Sequence, residues 1–217
     1  MTEMTGRPAQ SAEVERLLAS TDGREALRPY LSHPDPGVRR TAVEAVAERR
    51  PDWGYDALCL ALLDAADPVR VAAADALRPM EQQLPDQPQL FDFLEQALDS
   101  PSVQAREVAV RLLRRTSDAS ISTFVAAARD TEPGVRREAV QALADLRAVV
   151  EISTLADDPS GEVRAEVAAA LGRLGDDRGG VALGRLVLDE DEQVRAVAVA
   201  ALAAVPPNGS LRTELAD

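Results

Sequence analysis

The sequence predicts an all-α protein, a solenoid of about six helical hairpins. Three observations point there. An arginine-anchored segment recurs six times in the 217 residues. Each copy carries apolar residues at helical spacing. No stretch of useful length alternates apolar and polar residues as a strand would; VEIST is the nearest, and it fits a helix in phase with the others.

The six segments are VRRTAVEAV at Arg39, VRVAAADAL at Arg70, AREVAVRLL at Arg106, VRREAVQAL at Arg136, VRAEVAAAL at Arg164 and VRAVAVAAL at Arg195. Their anchors lie 31, 36, 30, 28 and 31 residues apart. Three residues past the anchor stand Ala42, Ala73, Ala109, Ala139, Val167 and Ala198. Four past stand Val43, Ala74, Val110, Val140, Ala168 and Val199, and seven past Val46, Leu77, Leu113, Leu143, Leu171 and Leu202. All are apolar, and offsets of three, four and seven share one face of a helix. A unit of about thirty residues that cannot bury this stripe alone must stack on its neighbours.

The helix starts are also written in the chain. Asp35-Pro36, Asp67-Pro68 and Ser100-Pro101 place a capping side chain before a proline, which suits the first helical position. A less regular helix is expected before each anchored one, over residues 24–31, 55–63, 90–98, 122–129, 148–156 and 181–188. Together they give a solenoid over 21–204, with an N-terminal tail and capping helix in 1–20 and a C-terminal tail in 205–217. The Pro- and Gln-rich stretch 79–90 is expected to be a loop longer than the others. LGRLGDDRGG at 171–180 reads as a helix end with a glycine cap, not as a dinucleotide fingerprint.

The recurring D-x-x-x-x-V-R-x-x-A-V-x-A-L pattern resembles the HEAT repeat, in particular its short PBS-lyase-type class. The resemblance spans roughly residues 24–204. It implies a right-handed α-solenoid whose second helices line the concave face. It also implies a ladder in which a turn aspartate and an early second-helix arginine link successive repeats. The acid six residues before the anchor is Asp64, Asp130, Asp158 or Asp189, so the ladder is expected at Arg70, Arg136, Arg164 and Arg195. His33 and Ser100 occupy that slot before Arg39 and Arg106, which leaves those two arginines without an expected rung.

Composition narrows the function. There are 37 acidic residues against 24 basic ones, a formal charge of −13, and every base is an arginine. An Ala- and Arg-heavy, Lys-free chain suggests a GC-rich bacterial genome. The net charge argues against nucleic-acid binding, because phosphates demand a positive field. No apolar run approaches the ~20 residues of a membrane span. The first residues have no apolar core of a signal peptide. A lone Cys59 cannot form an internal disulfide, in keeping with the cytoplasm.

Candidate chemistry is sparse. His33 and Cys59 lie in different units without partner motifs, and one histidine excludes a His-rich metal site. The acidic turns, DEDEQ among them, lack calcium-loop spacing and read as helix caps. No nucleophile–base arrangement, phosphate loop or cofactor motif occurs, so no cofactor is expected. The expectation is a monomeric, non-catalytic scaffold holding another protein on its second-helix face. Arg40, Glu44, Asp75, Glu107, Arg111, Arg115, Arg137 and Gln141 would form that stripe, with Trp53 as an aromatic anchor; the competing reading is a mixed-charge surface, with Trp53 packed over a seam between repeats. The family resemblance also implies two alternatives: a lyase- or chaperone-like accessory factor for a chromophore- or cofactor-bearing protein, and a HEAT-like DNA glycosylase, against which the single tryptophan and the charge of −13 argue.

The helix phase makes a prediction. Leu143→Ala removes a buried contact and lowers the unfolding free energy by ~2–5 kcal/mol, read by chemical denaturation. A far smaller loss would mean that the stripe faces elsewhere.

Overall fold

The computed structural model describes residues 23–83 and 88–205. The expected N-terminal tail and capping helix, and residues 206–217 of the expected C-terminal tail, lie outside the described residues. Among the described residues there are twelve α-helices and no strand. They are α1 (Gly23–Leu31), α2 (Pro36–Arg49), α3 (Gly54–Ala61), α4 (Asp67–Leu77), α5 (Pro88–Ala97), α6 (Val103–Leu113), α7 (Ile121–Ala127), α8 (Pro133–Asp145), α9 (Val149–Ser153), α10 (Gly161–Leu174), α11 (Gly180–Leu186) and α12 (Glu192–Leu202). They pair as six hairpins, in two compact units that divide between Asp118 and Ala119.

In the first unit α1, α3 and α5 are the first helices of their hairpins, and α2, α4 and α6 the second. The second helices pack in sequence, α2 on α4 and α4 on α6. In the second unit α8 packs on α10 and α10 on α12, with α7, α9 and α11 as the first helices. The stripe read from the sequence faces inward. Ala42, Ala73, Ala109, Ala139, Val167 and Ala198 are all fully buried, as are Val46, Leu77, Leu113 and Leu143. The last hairpin departs from this pattern: Val199 is 56% exposed, and among the described residues no further hairpin covers it.

Local chemistry sets most helix ends. Asp35 caps α2, its carboxylate accepting from the Gly37 amide at 2.7 Å, with Pro36 in the first turn. Ser120 caps α7 and Asp191 caps α12 in the same way. Asp67 does not cap: it is the first helical residue of α4, and Ala66 is the cap. Its carboxylate instead takes a hydrogen bond from Arg70 at 2.9 Å. Pro101 likewise falls ahead of α6, which starts at Val103 after Ser102.

Part of the expected loop at 79–90 is helical, and its residues 84–87 lie outside the described residues. Arg78–Gln83 form a 3₁₀ helix and α5 begins at Pro88. The buried Tyr55 hydroxyl pins this stretch by donating to the Met80 carbonyl at 3.0 Å. The expected helix at 148–156 splits into α9 and a 3₁₀ turn, Thr154–Asp157. Among the described residues, three adopt the left-handed conformation: Arg50, Arg147 and Gly175, which cap α2, follow α8 and cap α10. Each stands eleven residues past its anchor arginine.

Gly172 marks a close approach of two helices. A Cβ there would lie 2.7 Å from the Ala201 Cβ and 2.9 Å from its Cα, so α10 and α12 pack backbone against backbone. Gly184, on α11, has nothing within 4 Å of the same position. The two glycines should therefore respond in opposite ways. Gly172→Ala forces the helices apart and destabilises by ~1–3 kcal/mol, whereas Gly184→Ala stabilises by ~0.5–1 kcal/mol through helix propensity. Thermal melts of the two variants measure the contrast.

Candidate interaction surface and the arginine clamp

Each anchor arginine sits near the start of a second helix and reaches back over the turn that precedes it. Its Nη1 donates to carbonyls five and six residues earlier. Arg39 takes the carbonyls of His33 and Pro34 at 2.6 and 3.0 Å, and Arg70 those of Asp64 and Ala65 at 2.7 and 2.9 Å. Arg136 takes those of Asp130 and Thr131, and Arg195 those of Asp189 and Glu190. Arg164 and Arg106 hold the carbonyls of Asp158 and Ser100 at 2.8 Å each. Turn carbonyls at the entry to a helix otherwise lack partners inside the protein.

The other edge of the guanidinium reaches forward. Nε and Nη2 of Arg39 donate to both oxygens of Asp64 at 2.7 and 2.8 Å. Arg136 does the same to Asp158, and Arg164 to Asp189, at the same distances. Each of these aspartates also accepts an amide of its own turn: from Ala66, Ser160 and Asp191 respectively. Such two-point, charge-assisted pairs fix orientation as well as energy.

The sequence reading looked for the carboxylate in the arginine's own turn. The structure takes it from the next hairpin, and this reassigns the rungs. Arg39, left without an expected rung because His33 fills its turn, has a complete clamp on Asp64. Arg70 has none, because the next hairpin offers Ser100. Its Nη2 turns to Asp67 within α4, and its Nε is buried without an acceptor. Asp130 binds the Glu132 amide at 2.9 Å. Arg195 is held by its own turn.

The expected second-helix stripe is gathered only in part. In the first unit a shallow groove of about 510 Å³ lies between α2 and α4. Ala47, Val71, Ala72 and Ala76 form its floor, and Arg40, Glu44 and Asp75 its rim. Arg40 and Glu44 pair across one helical turn at 2.7 Å, and Asp75 pairs with Arg78 at 3.4 Å. Glu107, on α6, meets Arg78 at 3.8 Å, and Arg111 is half-buried on the same helix. Arg115 lies past the end of α6. In the second unit Arg137 reaches Glu162 at 3.4 Å, and Gln141 is half-buried on α8.

Trp53 stands apart from this stripe. It precedes α3, half-buried, and lines a cleft of about 450 Å³ on the first-helix side of the same unit. Leu31, Ala57, Leu60 and Phe93 share the cleft, with the Arg24–Asp56 ion pair at its edge. The sequence reading missed this cleft, although Trp53, Ala57 and Leu60 follow helical spacing on the side of α3 opposite the buried Leu58, Cys59 and Leu62.

The reactive side chains are occupied structurally. Burial pushes the Cys59 thiol up to about 12, which leaves it protonated. His33 accepts the Asp35 amide on Nδ1 at 3.0 Å. Among the described residues, no group of three or more His, Cys, Asp or Glu side chains could hold a metal, and no helix is long and apolar enough to cross a membrane.

The clamp makes stability pH-dependent. The Arg164 hydrogen bonds hold the Asp189 carboxyl below the usual carboxylate range, and the Asp191 amide adds to the effect. A carboxyl whose folded pKa is depressed contributes stability above its unfolded pKa and loses it as pH falls through the folded value. The melting temperature should therefore fall on acidification from about pH 5 to about pH 2. Asp189→Asn should be less stable at neutral pH and lose less over that interval. Parallel acid limbs for the two proteins would show that this pair carries none of the dependence.

Comparison with known proteins agrees with this architecture. Residues 9–78 and 91–157 match the family of HEAT repeats, and residues 163–189 match the PBS lyase HEAT-like repeat. No curated protein matches the chain. Among solved structures, an engineered protein is similar with a TM-score of 0.60 and 18% identity, over 88% of this chain and 97% of its own. A designed armadillo repeat protein in complex with the peptide (KR)4 is similar with a TM-score of 0.55 and 21% identity, over 91% and 99%. YibA of Escherichia coli is similar with a TM-score of 0.58 and 17% identity, over 94% and 76%. These likenesses are to the fold. The stacked hairpins, the anchored second helices and the matches over more than half of its residues together place the chain in the HEAT-repeat family.

Proposed function

We propose that this protein is a non-catalytic scaffold that binds a segment of another protein on the second-helix face of its first unit. The observation that carries this reading is the groove between α2 and α4. It combines a small-residue floor with the exposed charges Arg40, Glu44 and Asp75. Apolar floors with a few placed polar groups are what recognition sites offer. The groove is shallow and open, which suits a polypeptide better than an enclosed small molecule. Arg40 pairs with Glu44 and Asp75 with Arg78 only at the surface, where such pairs are worth ~0.2–1 kcal/mol and exchange readily for a partner's.

Two further points support the reading. Repeat folds of this kind are typical of protein-binding scaffolds, and one structural relative is a designed repeat protein that carries a bound peptide. The groups that could support chemistry, Cys59 and His33, are engaged elsewhere. The same reading makes the protein a monomeric cytoplasmic adaptor, an assignment that rests on the lone cysteine and the acidic composition.

A photo-crosslinking residue at Ala72, in the groove floor, should capture a defined partner from the native cell extract. The same residue at Val181, exposed on α11, should not. Glu44→Arg with Asp75→Arg should lower the Ala72 yield about tenfold or more, the loss expected when like charges replace complementary ones. Equal capture at both positions, or a yield indifferent to the charge reversals, rejects the groove.

A further inference from the structure

We propose that the joint between the second and third hairpins of the first unit is a compliant joint built into the solenoid, because the arginine clamp there lacks its carboxylate. Arg70 is 7% exposed. Its Nη1 is spent on the turn carbonyls of Asp64 and Ala65. Its Nη2 goes to Asp67, three residues earlier on the same helix, with a carboxylate 63% exposed. That pair stays inside α4 and cannot tie it to the next hairpin. Nε, which in Arg39, Arg136 and Arg164 binds the following aspartate, is buried with no acceptor.

Ser100 is the position that would complete the clamp. It lies six residues before Arg106, as Asp64 lies six before Arg70. Its carbonyl takes the Arg106 Nη1 at 2.8 Å, as the Asp64 carbonyl takes Arg70 at 2.7 Å. Its hydroxyl accepts the Ser102 amide at 3.3 Å, as the Asp64 carboxylate accepts Ala66 at 2.8 Å. The turn is therefore built like the others. Serine, however, carries no charge and a single oxygen on a shorter side chain, where the aspartates offer two charged oxygens to the guanidinium fork. A buried donor left unmade weakens the contact in which it sits.

The first-helix cleft spans the same joint. Trp53 and Leu60 border the cleft from the hairpin before the joint, and Phe93 on α5 borders it from the hairpin after. Bending at Arg70 and Ser100 changes the separation of those walls, so the cleft inherits the compliance of the joint.

The test compares the full chain with Ser100→Asp and with Asp64→Ser, by hydrogen exchange and by acrylamide quenching of Trp53, the only tryptophan. Ser100→Asp should slow exchange in α5 and α6 by about tenfold or more, the effect of one charge-assisted bond, and reduce quenching. Asp64→Ser removes a working clamp and should speed exchange in α2 and α4 by a similar factor. Unchanged or faster exchange in α5 and α6 of Ser100→Asp overturns the proposal, whatever Asp64→Ser does. No response to Asp64→Ser overturns it too, since the clamps would then not govern the joints.

Discussion

A two-helix hairpin has no inside. Its apolar residues form a stripe on one face, and water reaches that stripe unless another hairpin covers it. In this chain the stripe is made mostly of alanine, valine and leucine, with very few aromatics, so each helix offers a low, even surface. Low surfaces must come close to exclude water and gain dispersion contacts. The result is visible where Gly172 and Ala201 bring two backbones together, and at the full burial of Ala42, Ala73, Ala109 and Ala139. At Val199, which no further hairpin covers among the described residues, the same kind of residue is left in solvent.

Flat alanine-rich faces slide easily, because nothing in their shape fixes the register. The arginine clamp supplies that information. One guanidinium holds the turn behind it through carbonyls and the turn ahead through a carboxylate, and each contact has a required direction. Lysine could not do this, since its ammonium is a single point and not a planar fork. Whatever the composition of the rest of the chain, the clamp positions need arginine for geometric reasons. Each clamp also sits at the edge of the packed layer, where a polar group can be satisfied without interrupting the stripe.

Much of the fold is legible in the sequence because helical periodicity is a local property. Offsets of three, four and seven from each arginine name the buried face directly. The first helices could be placed within a few residues for the same reason. What the sequence concealed is the pairing between hairpins. Asp64 stands near Arg70 in the chain, yet its carboxylate belongs to Arg39, a relation 25 residues long that no local spacing reveals. Trp53 was similarly ambiguous: its type suggested an interface, but only the packing of α3 shows which side of the unit it faces. Of the candidate stripe, Arg40, Glu44 and Asp75 converge on one groove because they lie on adjacent second helices. Arg115 falls outside its helix, which ends earlier than periodicity alone implied.

The left-handed residues at the ends of second helices carry a different lesson. Gly175 adopts this conformation freely, while Arg50 and Arg147 adopt it at the same repeat position with a full side chain, at a cost on the order of 1–2 kcal/mol each. The chain thus keeps thermodynamic slack at two exposed positions that end second helices, where a single atom-poor residue would do the same backbone work. A solenoid that tolerates this slack is not poised at its ceiling of durability. Its hairpin ends are where consensus engineering has the most room to harden it without touching either helical face.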